Sequence, residues 1–249
     1  MLISQRLGKT APRRDRRTFR LSKYMPTLPA PFDHVNWLSK PNAIGWPMML
    51  NDTLGDCVCA ASGHMVEQWT TYTGVPAILP DADVLAMYEQ VGGYVPGDSS
   101  TDNGCGMLSA LNWWRQTGLA GHKILGYAAV DWNNLSEVKN SIRFLGNLYL
   151  GIQLPISAQG QYSWQVPVGG PYGDGSPGSW GGHCIPVVSY DKTGLIVITW
   201  GQKFFMTWGF LHTYADEAYA VLSPDWIAAT GLAPNQFNLA QLQADLAQL

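Results

Sequence analysis

The sequence predicts an α+β fold with two lobes, the first helical and the second built from β-strands. Helical periodicity dominates residues 57–117, whereas residues 148–222 contain short apolar runs rich in Val, Ile, Tyr and Trp, which favour strands. With 249 residues, 46% of them hydrophobic and 13% charged, the chain is globular and can bury a sizeable core. Since a cleft between lobes is a usual place for a site, we expect the functional residues there.

Four helices are predicted, over residues 57–73, 82–91, 107–117 and 136–145. The first and third end before Gly74 and Gly118, because glycine readily adopts the left-handed conformation that terminates a helix. Asp81 or Asp83 is the expected N-cap of the second helix, since a carboxylate can accept from the free N–H groups there.

Four strands are predicted, over residues 148–154, 184–190, 194–200 and 217–222. Two stretches rich in Gly and Ser, 92–106 and 158–182, are expected to be loops, and the second is expected to form one wall of the cleft. Residues 24–34 are rich in proline and predict an extended connector.

The basic residues are concentrated at the N-terminus. Eight of the 15 fall within the first 23 positions, against one acidic residue there, so the sequence predicts a basic arm on an acidic body. The open alternatives are an arm that docks on a partner in a larger assembly, covers the acidic body or solubilises the chain. Nucleic-acid binding is a further alternative that nothing else in the sequence supports.

The chain divides into four predicted regions: an arm (1–32), a helical lobe (33–122), a β-rich lobe (123–225) and a C-terminal helical tail (226–249). The tail carries leucines at positions 239, 242, 246 and 249, a spacing that makes one apolar helix face. That face either packs on the body of the chain or joins copies into a homo-oligomer.

Cysteine content and targeting signals predict a reducing, cytoplasmic location. The four cysteines are too few for a disulfide scaffold at this length. Residues 16–21 resemble a twin-arginine export motif, but no apolar stretch follows them, so export is not predicted. No apolar run reaches the roughly 20 residues that span a membrane, so no membrane partner is expected.

Two distant segments carry the candidate chemistry. Cys57 lies where a turn enters the first predicted helix, and His183 lies at the start of an apolar strand. A thiol and an imidazole from separate elements are the minimum set for covalent acyl transfer. A metal site is not favoured, because the cysteines lack the paired Cys-x-x-Cys spacing of structural zinc. No phosphate loop or dinucleotide fingerprint is present, so no cofactor is predicted.

Five segments, taken in order, resemble papain-family cysteine peptidases: residues 35–57, 103–111, 183–190, 199–201 and 208–210. In this resemblance Cys57 stands at the nucleophile, Gly55 at the glycine two positions before it, and Asn51 at the family's Gln. The resemblance covers about residues 33–222. It implies a papain-like fold, with a helical lobe, a β-barrel-like antiparallel sheet lobe and a cleft between them.

The resemblance implies a peptidase in which Cys57 attacks a carbonyl and His183 holds the proton. A thiol at a helix N-terminus favours thiolate, and Asn51 is expected to donate to the oxyanion together with the Cys57 N–H. The substrate-binding residues that it implies are Gly55, Gly104, Gly106, Trp180, Gly182 and Trp200. Glycines at 104 and 106 allow an extended peptide to approach closely. The implied substrate is a polypeptide.

Three positions depart from the family. Ile198 stands where the family has the Asn that orients the imidazole, and Thr199 and Gln202 are the alternatives for that role. Leu54 replaces a disulfide cysteine, which leaves Cys105 without that partner. Asp56 replaces a small residue beside the nucleophile, and its charge is expected to oppose thiolate formation.

Two hypotheses for function follow. The first is a papain-like cysteine hydrolase, specifically a peptidase. The second is a catalytically weak or inactive papain-fold component of a larger assembly, such as a phage or virus particle, docked by its basic arm. In the second case the protein belongs in the virion. The arm is either such a docking arm or a pro-segment that lies across the cleft, as in the zymogens of the family that the sequence resembles.

Overall fold

A computed structural model describes residues 5–13, 15, 18–38 and 45–230 of the chain. Within them lie seven α-helices: α1 (Leu21–Tyr24), α2 (Cys57–Thr73), α3 (Asp81–Gly92), α4 (Met107–Gln116), α5 (Leu135–Leu145), α6 (Trp208–Tyr214) and α7 (Pro224–Thr230). The same residues form eight strands: β1 (Val35–Asn36), β2 (Gly126–Ala129), β3 (Leu148–Leu154), β4 (Ser163–Trp164), β5 (Gly181–Tyr190), β6 (Gly194–Thr199), β7 (Gln202–Thr207) and β8 (Ala215–Leu222). This confirms the predicted α+β class.

The strands form one mixed sheet in the order β2-β8-β3-β5-β6-β7-β4, with β1 paired to β5. All neighbours are antiparallel except β4 and β7, which are parallel. In the described part of the chain the two outer strands, β2 and β4, are not paired with each other, so the sheet is open. The expected β-rich lobe is present, but the term barrel-like describes it only loosely.

Helix α2 is the central element of the helical region. Every residue from Cys57 to Thr71 is buried, because the helix packs against β5 on one side and against α3, α4 and α7 on others. The indole rings of Trp69 and Trp114 lie 5.8 Å apart in this core. The helix ends at Gly74, as predicted. Gly74 has a left-handed φ of 99°, and its N–H donates to the carbonyls of Thr70 and Thr71 in the last turn.

Most element positions match the predictions to within a few residues, with instructive exceptions. The N-cap of α3 is Pro80, and Asp81 is the first helical residue, where its charge favours the helix dipole without capping it. Strand β7 was not predicted, because it is half exposed and its residues show no clear alternation of buried and exposed side chains. The seven-residue helix α6 was not predicted either. The connector 24–34 is pinned to α5, where Asn140 Nδ2 donates to Pro29 O at 2.9 Å.

Two predicted features fall partly beyond the described residues. The leucine-rich tail at 239–249 lies outside them, as do Arg14, Arg16 and Arg17 of the basic arm. Among the helices that the structure does describe, none is both long and apolar enough to cross a membrane.

Candidate active site

Cys57 is the first residue of α2 and is almost completely buried. The pKa of its thiol is raised to about 12, mainly by burial and to a smaller extent by the nearby Cys105 and Asp56, while the backbone N–H groups of Cys184 and Gly8 act in the opposite direction. The backbone of Cys184 on β5 lies near this thiol, and His183 is the residue immediately before Cys184 on the same strand.

His183 is held by one hydroxyl and one indole. Its Nε2 lies 2.8 Å from Thr199 Oγ1, and its ring stacks on that of Trp200 with centroids 4.4 Å apart. Its Nδ1 has no hydrogen-bond partner among the described groups. Burial, with a smaller contribution from the positive charge of Lys9, lowers the pKa of His183 to about 3.

Of the two alternatives for the orienting group, the structure brings only Thr199 to His183. Gln202 lies exposed at the start of β7, and Ile198 packs on the other side of the sheet with Leu38 and Val188. Successive strand residues face opposite sides, so Ile198 and Thr199 cannot both face the imidazole. The family's Asn position is thus occupied by a core residue, and its neighbour contacts the histidine.

The loop before Cys57 is held by side-chain hydrogen bonds. Asn51 Nδ2 donates to Leu54 O at 3.2 Å and to Asp56 Oδ1 at 3.1 Å. Both amide hydrogens are engaged, so the oxyanion role predicted for Asn51 requires one of them to be released. Burial raises the pKa of Asp56 well above its usual value, although the hydrogen bond from Asn51 acts in the opposite direction.

The N-terminal arm lies in the cleft, directly over this site. On one wall, the Cys105 N–H donates to Gly8 O at 2.9 Å and the Thr10 N–H donates to Cys105 O at 3.1 Å, which pairs the arm parallel to this segment. On the other wall, the Lys9 N–H donates to Gly182 O at 3.1 Å. The arm is therefore bonded as an extended strand to both walls.

Upstream of these pairs, the arm is held at two further points. The Arg6 N–H donates to Asn51 O, and Trp200 Nε1 donates to Arg6 O, both at 3.1 Å. The ring of Trp180 lies 5.6 Å from that of Trp200. The tryptophans expected to bind substrate thus border the arm.

Glycines on both walls make this approach possible. A Cβ on Gly104 would collide with the carbonyl of Gly8, and one on Gly182 would collide with the carbonyl of Lys9. A Cβ on Gly55 would lie 3.0 Å from Leu7 O, whereas one on Gly106 would meet only Thr10 Oγ1, at 3.4 Å. The expected glycines therefore line the arm, with Gly106 the least constrained of them.

Lys9 anchors the arm through its side chain, which is fully buried. Its Nζ lies 2.9 Å from Asp216 Oδ2 and 3.2 Å from Glu217 Oε1. Burial lowers the pKa of Lys9, but the two carboxylates outweigh burial, and the pKa is raised overall. Burial raises the pKa of Glu217, since one lysine shared by two carboxylates compensates it only in part.

A second network joins the nucleophile loop to the glycine-rich wall. Asp102 Oδ1 accepts from the Gly55 N–H at 2.9 Å and from the Tyr88 hydroxyl at 2.6 Å, and the Gly104 N–H donates to Tyr88 Oη at 2.9 Å. Neither Asp102 nor Tyr88 was predicted to belong to the site. The only indication in the sequence was that Asp102 is a polar residue beside the glycine-rich segment. Asp216, a charged residue next to an apolar strand, was not predicted either.

The four cysteines are buried and free, and Cys59 Sγ lies 3.9 Å from Cys105 Sγ. Nowhere in the described part of the chain do three or more His, Cys, Asp or Glu side chains lie close enough together to hold a metal ion.

Solved structures with a similar fold are cysteine proteases or their precursors. Xylellain, a cysteine protease from Xylella fastidiosa, has a TM-score of 0.64 at 14% identity, over 88% of this chain and 96% of its own. Procathepsin L 3 of Tenebrio molitor larval midgut gives 0.57 at 14% identity, over 88% and 77%. ProCathepsin B S9 from Trypanosoma congolense gives 0.55 at 11% identity, over 88% and 86%.

No family model and no curated protein matches the sequence. At such low identity the likeness to solved structures concerns the arrangement of elements and not the chemistry. The chain has the fold of the papain-like cysteine proteases.

Proposed function

We propose that this chain is a latent papain-like cysteine peptidase whose own N-terminal arm closes the active site. One observation carries the proposal: an extended peptide, residues 6–10, is hydrogen-bonded to both walls of a cleft that contains a thiol at a helix N-terminus and an imidazole with an orienting hydroxyl.

In the open enzyme, a substrate peptide takes the place of the arm. Cys57 transfers its proton to His183, and the sulfur adds to the substrate carbonyl carbon. The C–N bond then breaks, the amine leaves with the proton from His183, and water hydrolyses the thioester. Thr199 positions the imidazole through Nε2. The Gly182 carbonyl and the backbone of residue 105 hold the substrate as they hold the arm.

The closed state is inert for electrostatic reasons. The arm excludes water from Cys57 and His183, so burial disfavours both thiolate and imidazolium, and the cation of Lys9 opposes the imidazolium as well. The arm also places the Gly8 backbone against Gly55 of the nucleophile loop, in the space that a substrate would occupy. Two of the similar solved structures are proenzymes by their names, which supports an inhibitory role for the arm.

Thiol labelling tests the proposal. Iodoacetamide at low concentration near pH 6 is expected to modify Cys57 slowly in the wild type and rapidly in Lys9→Ala, in which the arm has lost its anchor. The other three cysteines stay unmodified, and His183→Ala in the Lys9→Ala background abolishes the fast reaction, because the thiolate loses its partner. If Cys57 in Lys9→Ala reacts no faster than an ordinary thiol, the chain is instead an inactive papain fold, as in the assembly hypothesis.

A further inference from the structure

The pocket that holds Lys9 is built for a positive charge. Three strands form it: β3 contributes Gly151, β5 contributes Gly182, and β8 contributes Asp216 and Glu217. A Cβ on Gly151 would lie 2.5 Å from Lys9 Cε and 2.8 Å from Glu217 Cγ, so the absence of a side chain there makes room for a lysine stem.

Two adjacent carboxylates reach the same ammonium because the sheet is irregular at this point. Gly151 pairs with Glu217, but Ile152 pairs with Ala215, which leaves Asp216 as the extra residue of a β-bulge. In a regular strand the side chains at 216 and 217 would face opposite sides of the sheet, whereas a bulge re-aims one of them.

Each carboxylate is also held by a neutral neighbour. Gln153 Nε2 donates to Asp216 Oδ2 at 2.6 Å, and the Tyr219 hydroxyl donates to Glu217 Oε2 at 3.0 Å. These bonds are made by the body of the protein, so they persist when the arm leaves. The acidic pair also borders an open groove of about 850 Å³ that is lined by residues of the arm and of β8.

We propose that this pocket determines substrate specificity, so that the open enzyme prefers polypeptides with Lys or Arg at the position that Lys9 occupies in the arm. The proposal rests on the peptidase function proposed above. Gly8 packs against Gly55 of the nucleophile loop, two residues before Cys57, and Lys9 is its neighbour, so the selected residue lies one position from the residue beside the nucleophile loop. An uncharged side chain leaves the buried Glu217 and the partly buried Asp216 without the lysine counterion, and this disfavours its binding.

Two matched electrophiles test the preference. Each is a chloroacetyl amide, in which the thiol-reactive chloroacetyl group takes the place of Gly8 and is followed by lysine in one probe and by its uncharged analogue norleucine in the other. In full-length Lys9→Ala, we expect the lysine probe to modify Cys57 about 10- to 100-fold faster, as measured by peptide mapping. Glu217→Gln and Asp216→Asn, each added to this background, bring the ratio of the two rates towards one.

The ratio is also measured in the wild-type chain, in case Lys9→Ala does not fold. At probe concentrations low enough for the arm to close again before either probe reacts, opening lowers both rates by the same factor, so the ratio still reports the pocket. Equal rates with both probes, at a Cys57 that does react, overturn the specificity and leave the peptidase proposal standing. If neither probe modifies Cys57 in an open variant, the peptidase proposal fails and the specificity fails with it.

Discussion

Replacing Lys9 with alanine should detach the arm from the cleft. The side chain is fully buried and its ammonium lies within 3.2 Å of two carboxylates. Removing one partner of a buried ion pair costs about 3–5 kcal/mol, because the remaining charges stay buried without compensation. At about 1.4 kcal/mol per tenfold change, opening of the arm becomes roughly 10²- to 10³-fold more favourable.

Hydrogen–deuterium exchange read by mass spectrometry measures this opening. The backbone N–H groups of Arg6, Lys9 and Thr10 are all bonded to the body, so their peptide reports arm release. We expect its exchange to accelerate by about 10²–10³, while peptides from the central strand β3 keep their protection.

Lys192→Ala is the matched control. Lys192 also pairs with a carboxylate, Asp33, at 3.3 Å, but both side chains are more than 70% exposed, and exposed pairs contribute little. In Lys192→Ala, the arm peptide that contains Arg6, Lys9 and Thr10 should exchange at the wild-type rate. Unchanged arm exchange in Lys9→Ala would refute the reasoning, since the buried pair would then not hold the arm.

Three further predictions concern the site and the core. In the Lys9→Ala background, Thr199→Val should slow Cys57 labelling at pH 6 about 10- to 100-fold, because His183 Nε2 loses its partner. Thr199→Ser should restore the labelling rate, and Gln202→Ala should leave it unchanged. If Thr199→Val is labelled as fast as its parent, Thr199 does not position the imidazole. Gly104→Ala should speed hydrogen exchange in the arm, because the new Cβ collides with Gly8 and because the φ of +73° at this position disfavours a side chain. Gly106→Ala is the matched control and should not speed this exchange, since Gly106 has a φ of −91°. Equal exchange in the two variants would contradict the steric argument. Burial raises the pKa of Glu67 to about 8, so its contribution to stability is fully present below pH 4.5. The free energy of unfolding then falls by up to about 1.4 kcal/mol per pH unit as the pH rises towards 8. Glu67→Gln should flatten this pH dependence in denaturant unfolding, and parallel pH profiles of the two proteins would refute the prediction.

Local signals were enough to place the thiol and the imidazole. The helix that begins at Cys57 and the strand that contains His183 follow from periodicity, glycine positions and apolar runs within a dozen residues. The role of Thr199 was harder to predict, because a shift of one residue along a strand reverses which side chain faces the site. Thr199 and Gln202 could be separated only once the turn between β6 and β7 was known.

The anionic pocket could not have been predicted from the sequence. It depends on a contact between residue 9 and residues 216–217, and on a bulge that brings two adjacent carboxylates to one side. The count of basic residues indicated an arm but not which lysine is buried. Burial of a lysine between two counterions depends on tertiary structure and cannot be predicted from amino-acid composition.

The measurement that tests the central claim most directly is peptide-bond cleavage by the opened chain. Full-length Lys9→Ala is incubated with an unfolded, lysine-rich polypeptide, and the products are identified by mass spectrometry, with Lys9→Ala/Cys57→Ser as the control. We predict cleavage that requires Cys57 and is much slower in the wild type, whose arm fills the cleft. An intact polypeptide, in a variant whose arm exchanges freely and whose Cys57 is accessible, would contradict the claim that this is a peptidase.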